Sequence, residues 1–398
     1  MQRHAARPFA RSPALAAAGL VLLLAQLVAC TDGDAAETGG GAGAEAGSTA
    51  GRVVTDLGEI TPGVDVSFEV PSGTIGFTLA VESVDGTSSA KIALVKSPTG
   101  ETTHEASQPV DAKNQPDPPL PMATIAVPQS SAYAPAGEVA AGTWTFQATS
   151  TSPLRATLAV QRTADGLFHG GVLDVRILLP AGLSVLGPDV AHTVTAATAE
   201  QDACIQARLE QFFSDAQALY GLDRGAVEFV DVDATFAEFD PLQFFSQIKE
   251  LTQGITQSEG LNIWLSNRPG NGYPWGFTPL IPLPAGVEAG PSAICLLMLD
   301  APRPGENLER AEGNALAHEL GHALGLFHTT ETTGTDFDPV SDTPECPGVT
   351  SDTAYLCPDM PNILFPAQVD GPRTQISPTQ SRIAHGSPLV QADASDPP

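Results

Sequence analysis

Apolar and polar residues alternate in short runs between about residues 52 and 165. V-D-V-S-F-E-V (64–70), I-G-F-T-L-A-V (75–81) and K-I-A-L-V (91–95) come first; M-A-T-I-A-V (122–127), G-T-W-T-F-Q-A (142–148) and R-A-T-L-A-V (155–160) complete the set. Pro, Gly, Asn and Asp break up these runs, which predicts an all-β sandwich. The Pro-rich 115–121 reads as a loop, and His104 as a solvated loop residue. After 166 the period lengthens. Strands are expected at 170–180, 226–232, 261–265 and 293–299, with an amphipathic helix over 198–221 that ends at Gly221 and a shorter one over 241–251. A last helix runs from about Leu308 to Leu324, with Asn307 as its N-cap. The order βαβαββα predicts an α/β domain with a largely parallel sheet backed by helices.

Composition narrows the picture only a little. At 398 residues the chain exceeds one ordinary core and implies two domains plus tails. Apolar residues make up 42% and charged ones 16%, a globular balance. The net charge of −28 argues against nucleic acid or an anionic membrane surface as partner, and leaves carboxylates to spare for divalent cations.

The beginning of the chain carries an export signal. Arg3, Arg7 and Arg11 precede the apolar stretch Pro13 to Val28. L-V-A-C, Leu27 to Cys30, resembles the lipobox of bacterial lipoproteins. That resemblance implies removal of residues 1–29, lipidation of Cys30 and a membrane anchor there; the alternative is an ordinary cleaved signal with an incidental Cys. Thr31 stands where an Asp would retain such a protein at the inner membrane, so an outer-membrane address in the cell envelope is favoured. Residues 30–51 read as a flexible acidic tether. The remaining cysteines are Cys204, Cys295, Cys346 and Cys357, an even count that suggests two disulfides in an exported chain. Cys346 with Cys357 would close a short loop and Cys204 with Cys295 would tie a helix to a strand; sequence leaves all three connectivities open.

The chemistry is concentrated in H-E-L-G-H-A-L-G-L-F-H, residues 318–328, which holds three of the eight histidines. His318 and His322 lie four apart and project the same way from a helix, half of a tetrahedral zinc site. Leu316, Leu320, Ala323 and Leu324 supply the buried face, and Ala311 and Ala315 leave room beside the histidines. His328 can join them only if the helix ends, and Gly325 stands where a left-handed residue would end it. The fourth position would stay open to water, whose proton Glu319 could take and pass to a leaving group. A closed structural site would need a fourth protein ligand, often Cys, and this stretch has none.

The pattern HExxHxxGxxH resembles the zinc signature of the metzincin metalloproteases. H-T-T-E after the helix and V-S-D-T-P-E-C (340–346) resemble the pappalysin branch. The resemblance implies Zn2+ held by His318, His322 and His328, Glu319 as general base and Gly325 as the turn residue. In metzincins a Met forms a hydrophobic floor under the zinc; here P-N-I-L-F-P (361–366) places Leu364 there, a near volume-conserving swap. Met360 fits that position less well, and Phe365 lacks the hydroxyl that some branches use as an extra ligand. Relatives bind Ca2+ near the loop that holds Asp336, Asp338 and Asp342, so these residues are either a calcium site or a solvated acidic loop. G-Y-P-W-G-F-T-P-L-I-P (272–282) resembles the segment bordering the substrate cleft, where an extended peptide could pair with an edge strand. G-T-W-T-F is similar to the penultimate strand of jelly-roll domains attached to secreted proteases.

The expectation is therefore a multidomain chain: a jelly-roll-like β-sandwich (52–165), an α/β metzincin-like zincin domain (166–390) and a C-terminal tail (391–398). Its expected activity is zinc-dependent hydrolysis of peptide bonds in extracellular or envelope proteins. The rival is a catalytically silent adhesin or binding lipoprotein on the same scaffold, which would not need Glu319. His169, His192 and His385 are expected in surface or core roles. Oligomeric state is not legible.

Overall fold

The computed structural model describes residues 51–107, 120–131, 133, 137–186, 191–240, 243–253, 260–267, 275–285, 293–298, 307–350, 352–366 and 373–392. The signal, Cys30 and the tether to residue 50 lie outside the described residues, as do 115–119 of the Pro-rich loop, 272–274 of the cleft-bordering segment and 393–398 of the tail. No described helix is long and apolar enough to cross a membrane.

Eight strands are shared equally between two antiparallel sheets. They are β1 (Gly51–Ile60), β2 (Val66–Val70), β3 (Thr74–Ser83), β4 (Lys91–Lys96), β5 (Thr102–Glu105), β6 (Met122–Val127), β7 (Gly142–Thr149) and β8 (Leu154–Arg162). The strand orders are β1-β8-β3-β6 and β2-β7-β4-β5. Side chains from both sheets meet in one core around Phe68, Phe77, Trp144 and Phe146, with the Phe77 and Trp144 rings edge-on at 5.2 Å. Two strands escape the alternation rule. β1 is largely solvent-facing, and β5 is the polar run T-T-H-E. His104 is not solvated: it is buried on β5, with its Nε2 3.1 Å from Ile92 O.

The first sheet is covered on its second face as well. Every residue of β6 is buried, Thr124 included, so this strand is covered on both faces. Thr124 donates to Pro282 O at 2.6 Å and Gln161 donates to Val390 O at 2.8 Å. At Gly76 a Cβ would meet Gly386 O at 2.4 Å, so two backbones touch where no side chain fits. From Ser48 onward the chain forms one compact unit.

The second half is a mixed sheet with helices. Its strands are β9 (Gly171–Pro180), the small hairpin β10 (Ser184–Leu186) and β11 (Ala191–Thr193), β12 (Leu222–Val232), β13 (Leu261–Asn267), β14 (Gly276–Phe277), β15 (Ala293–Met298) and β16 (Gln391–Ala392). The helices are α1 (Ala203–Tyr220), α2 (Phe244–Thr252), α3 (Leu308–Ala323) and α4 (Pro378–His385). The sheet order is β12-β9-β13-β15-β14. The first four run parallel, while β14 pairs antiparallel to β15 at the edge and β16 antiparallel to β9.

Alternation along β15 separates two cores. Ile294 and Leu296 face the large core shared with α1 and α3, whereas Ala293 and Cys295 face a smaller one with Trp264 and Phe239. Cys204 belongs to the large core and so lies across the sheet from Cys295; the expected pairing of these two does not form, and both are thiols. Cys346 and Cys357 are joined by a disulfide with their Cα atoms 5.4 Å apart. Between α1 and α3, Arg208 and Glu312 form a fully buried ion pair, and Arg208 also donates to Cys204 O and Leu186 O. Removing one partner of such a pair typically costs about 3–5 kcal/mol. The helix that carries the histidines is thereby tied to α1 in its first half.

Candidate metal centre

Local sequence sets both ends of α3. Asn307 accepts from Arg310 N at 2.7 Å at the N-terminus. At the other end Gly325 adopts a φ of +107°, a backbone region that side-chain-bearing residues rarely enter. The turn also needs the space: a Cβ on Gly325 would lie 3.2 Å from the Ala126 methyl of β6. The chain then folds back and brings His328 to His318 and His322.

The three Nε2 atoms lie 3.1, 3.1 and 3.3 Å from one another. None of these contacts is a satisfied hydrogen bond. Nδ1 of His318 is 2.6 Å from Ile363 O, and Nδ1 of His322 is 2.7 Å from Leu326 O. A carbonyl oxygen only accepts, so each Nδ1 carries the proton and each Nε2 is a bare lone pair. Nδ1 of His328 likewise faces Glu331 Oε2 at 3.0 Å. Three lone pairs therefore converge at short range, an arrangement that a cation relieves. Zinc–nitrogen bonds of about 2.0–2.1 Å at tetrahedral angles would set such atoms about 3.3–3.4 Å apart, close to the triangle observed. Burial holds His318 well below the usual imidazole range and His322 down at about 3, so both are neutral at physiological pH, as ligands must be.

Glu319, next to His318 on α3, is buried, and burial raises its carboxyl to about 7 against the opposing hydrogen bond from Thr278. Thr278 Oγ1 lies 2.7 Å from Glu319 Oε2 and 3.1 Å from Glu319 O. The room expected beside Ala311 and Ala315 is filled by Trp275, which packs there with Leu308. Beneath the site Leu364 is fully buried in a turn where Leu364 N donates to Asn362 Oδ1 at 2.9 Å. A Cβ on Gly321 would sit 2.6 Å from the Tyr220 hydroxyl and 2.9 Å from Leu364 Cδ2, so glycine lets the floor press against the helix. Tyr220 donates to Ala317 O at 3.0 Å and closes that side.

No protein-family model matches the chain, and no curated protein does. Several solved structures show partial likeness, two of them as follows. Mature mirolysin of Tannerella forsythia, in complex with a cleaved peptide, aligns over 54% of this chain and 90% of its own, at 14% identity and a TM-score of 0.35. Archaemetzincin of Methanopyrus kandleri aligns over 55% and 89%, at 12% identity and a TM-score of 0.27. At such values the likeness settles neither fold nor activity, and the geometry of the site carries the chemistry.

The acidic loop does not form a comparable site. Asp342 accepts from Ser377 Oγ at 2.7 Å and Thr379 N at 3.0 Å, at the start of α4. Asp338 accepts from Thr343 Oγ1 at 2.6 Å, and Asp336 from Thr335 Oγ1 at 3.0 Å. Their oxygens serve protein donors, and among the described residues these three do not converge as ligands, so calcium is not supported there. His192 and Asp202 are 2.6 Å apart with Cys204 close by, but Asp202 already caps α1 through Cys204 N and Ile205 N.

Sequence reasoning passed over several supporting groups. Glu331 lies three residues beyond His328, a spacing that could have marked it as the carboxylate behind the third ligand. Asp359 is buried and accepts from Thr329 and Thr330, each at 2.7 Å, pinning the two residues after His328. The Arg373 guanidinium donates to Phe365 O at 2.9 Å; burial lowers its pKa to about 10, and its charge helps depress His318. Thr278 and Asp359 carry no local signal, since their partners are distant in sequence.

Proposed function

We propose that the chain is a zinc-dependent endopeptidase of metzincin type, pappalysin-like, that cleaves extracellular or envelope proteins while anchored through Cys30 in the outer membrane. The carrying observation is the triangle of Nε2 lone pairs at 3.1–3.3 Å, with the buried Glu319 adjoining His318 in the chain. His318, His322 and His328 would hold the ion, with Nδ1 of each fixed by a carbonyl or carboxylate. Zinc, when bound, supplies Lewis acidity toward a peptide carbonyl and acidifies water. Glu319 Oε2 is held by Thr278, which leaves Oε1 to take the proton of the attacking water and deliver it to the leaving amine. Leu364 keeps the floor dry, and the edge strand β14 offers a backbone against which an extended peptide can lie. The two N-terminal sheets act as an accessory sandwich domain that braces the Gly325 turn through β6.

The test measures zinc content and peptide cleavage on the chain from residue 51, beside Glu319→Ala. The expected result is about one zinc per chain, as a single three-histidine site requires, and cleavage that the variant abolishes while keeping zinc. Zinc without cleavage across a broad peptide library would favour the silent binding protein.

A further inference from the structure

We propose that Gly276 and Thr278 form a clamp that sets the position of Glu319, with Thr278 as a positioning residue for proton transfer. This rests on the peptidase reading, but the contacts stand apart from any metal. The single hydroxyl of Thr278 faces two oxygens of one residue, Oε2 at 2.7 Å and the backbone O at 3.1 Å. Its one proton goes to the nearer Oε2, with the backbone O as a second acceptor in reach, so Glu319 is tied to one point just past the end of β14. Two residues before Thr278, the backbone of Gly276 lies close against the Glu319 side chain. A Cβ there would be 2.5 Å from Cγ and 2.8 Å from Oε1. Gly276 closes the space on one side, and Thr278 supplies a side-chain donor to Glu319 on the other.

The clamp is itself anchored. Gly276 and Phe277 pair with Leu296 and Cys295 of β15. Phe277 stacks on Phe239 with centroids 4.6 Å apart and lies 5.8 Å from Phe244 of α2. Trp275 packs on the α3 residues Leu308, Ala311 and Ala315. A bare glutamate has three rotatable side-chain bonds, so a fixed position must come from its neighbours. A general base works only within about 2.6–3.2 Å of the proton that it takes. Holding Oε2 decides where Oε1 points, and Thr278 directly follows the paired residues Gly276 and Phe277 of β14. Loss of the hydroxyl should therefore reduce the fraction of molecules with Oε1 in reach, which lowers kcat and leaves KM unchanged.

The experiment compares Thr278→Val and Thr278→Ser with the wild-type chain in two ways. Crystal structures of the metal-free proteins report the Glu319 side chain directly. In Thr278→Val we expect the carboxylate to shift by about 1 Å or more, a misplacement of the kind that costs about a hundredfold in rate. On the zinc-loaded proteins, kcat should fall about ten- to a hundredfold in Thr278→Val at constant KM and zinc content, and Thr278→Ser should restore most of it. A Glu319 carboxylate that stays in place in Thr278→Val overturns the clamp, as does a rate loss that merely follows lost zinc. If the wild-type chain cleaves nothing, the peptidase reading fails, and the crystallographic comparison still decides the clamp.

Discussion

His318, His322 and His328 lie within eleven residues, and Asp336, Asp338 and Asp342 within seven, so sequence presents both trios as ligand sets. The fold treats them differently. Asp342 and Asp338 are aimed at hydroxyl, amide or backbone donors of the protein and hold the loop against α4, while the exposed Asp336 accepts from its neighbour Thr335. Each histidine spends its proton outward, on a carbonyl or carboxylate, and turns its remaining lone pair toward the other two. Ligand chemistry is thus marked less by residue type or spacing than by lone pairs that the protein leaves facing each other.

The most forceful way to break this contrast is His322→Ala. It removes one corner of the triangle, so zinc content measured by mass spectrometry should fall from about one per chain to near zero. Retained zinc would mean that the ion sits elsewhere. Glu331→Gln is gentler, because it keeps the shape but weakens the acceptor behind His328. Competition with a chromophoric chelator should show zinc affinity lower by about ten- to a hundredfold, the usual cost of an outer-shell partner. An unchanged affinity would reduce the Glu331 contact to a surface pair.

Much of the histidine site was readable in advance because its determinants are local. The Asn307 cap, the i, i+4 histidines and the Gly325 turn all lie within one helix and its exit. What was not readable depends on the third dimension. Glu319 meets Thr278 across 41 residues and Asp359 meets Thr329 across 30. The even cysteine count suggested a Cys204–Cys295 bond, but the alternation of β15 aims Cys295 at the opposite face of the sheet. The Asp loop looked open because spacing shows the acceptors and not their donors. β1 and β5 were missed because a strand that is largely solvent-facing, or only four polar residues long, carries little pattern.

Acidity sharpens the comparison further. Burial raises Glu319 from its ordinary 4.5 to about 7, so the folded, metal-free chain holds this proton more tightly than the unfolded one. Its contribution to stability is complete below pH 4.5 and is lost as pH climbs through 7. His318 and His322 are depressed by burial, so their contribution has the opposite sign and is lost as pH falls below 6.5. Glu319→Gln should accordingly raise the Tm of the metal-free chain at pH 8 and change it little at pH 4.5, as read by calorimetry. Equal shifts at both values would contradict the assignment.

The smallest effect is expected in the acidic loop. Asp342→Asn should cost about 1 kcal/mol through weakened support of the α4 N-terminus, with zinc content unchanged. Added calcium should leave the Tm of the wild-type chain where it was. A calcium-dependent rise that Asp342→Asn abolishes would restore the loop as a cation site.

The central claim is that three converging imidazoles hold one divalent cation. Anomalous diffraction collected on both sides of the zinc edge, from crystals grown without chelator, tests it most directly. The account predicts one strong peak about 2.0–2.1 Å from each of the three Nε2 atoms. A zinc-free triangle, or a peak at His192 and Asp202 instead, would contradict it.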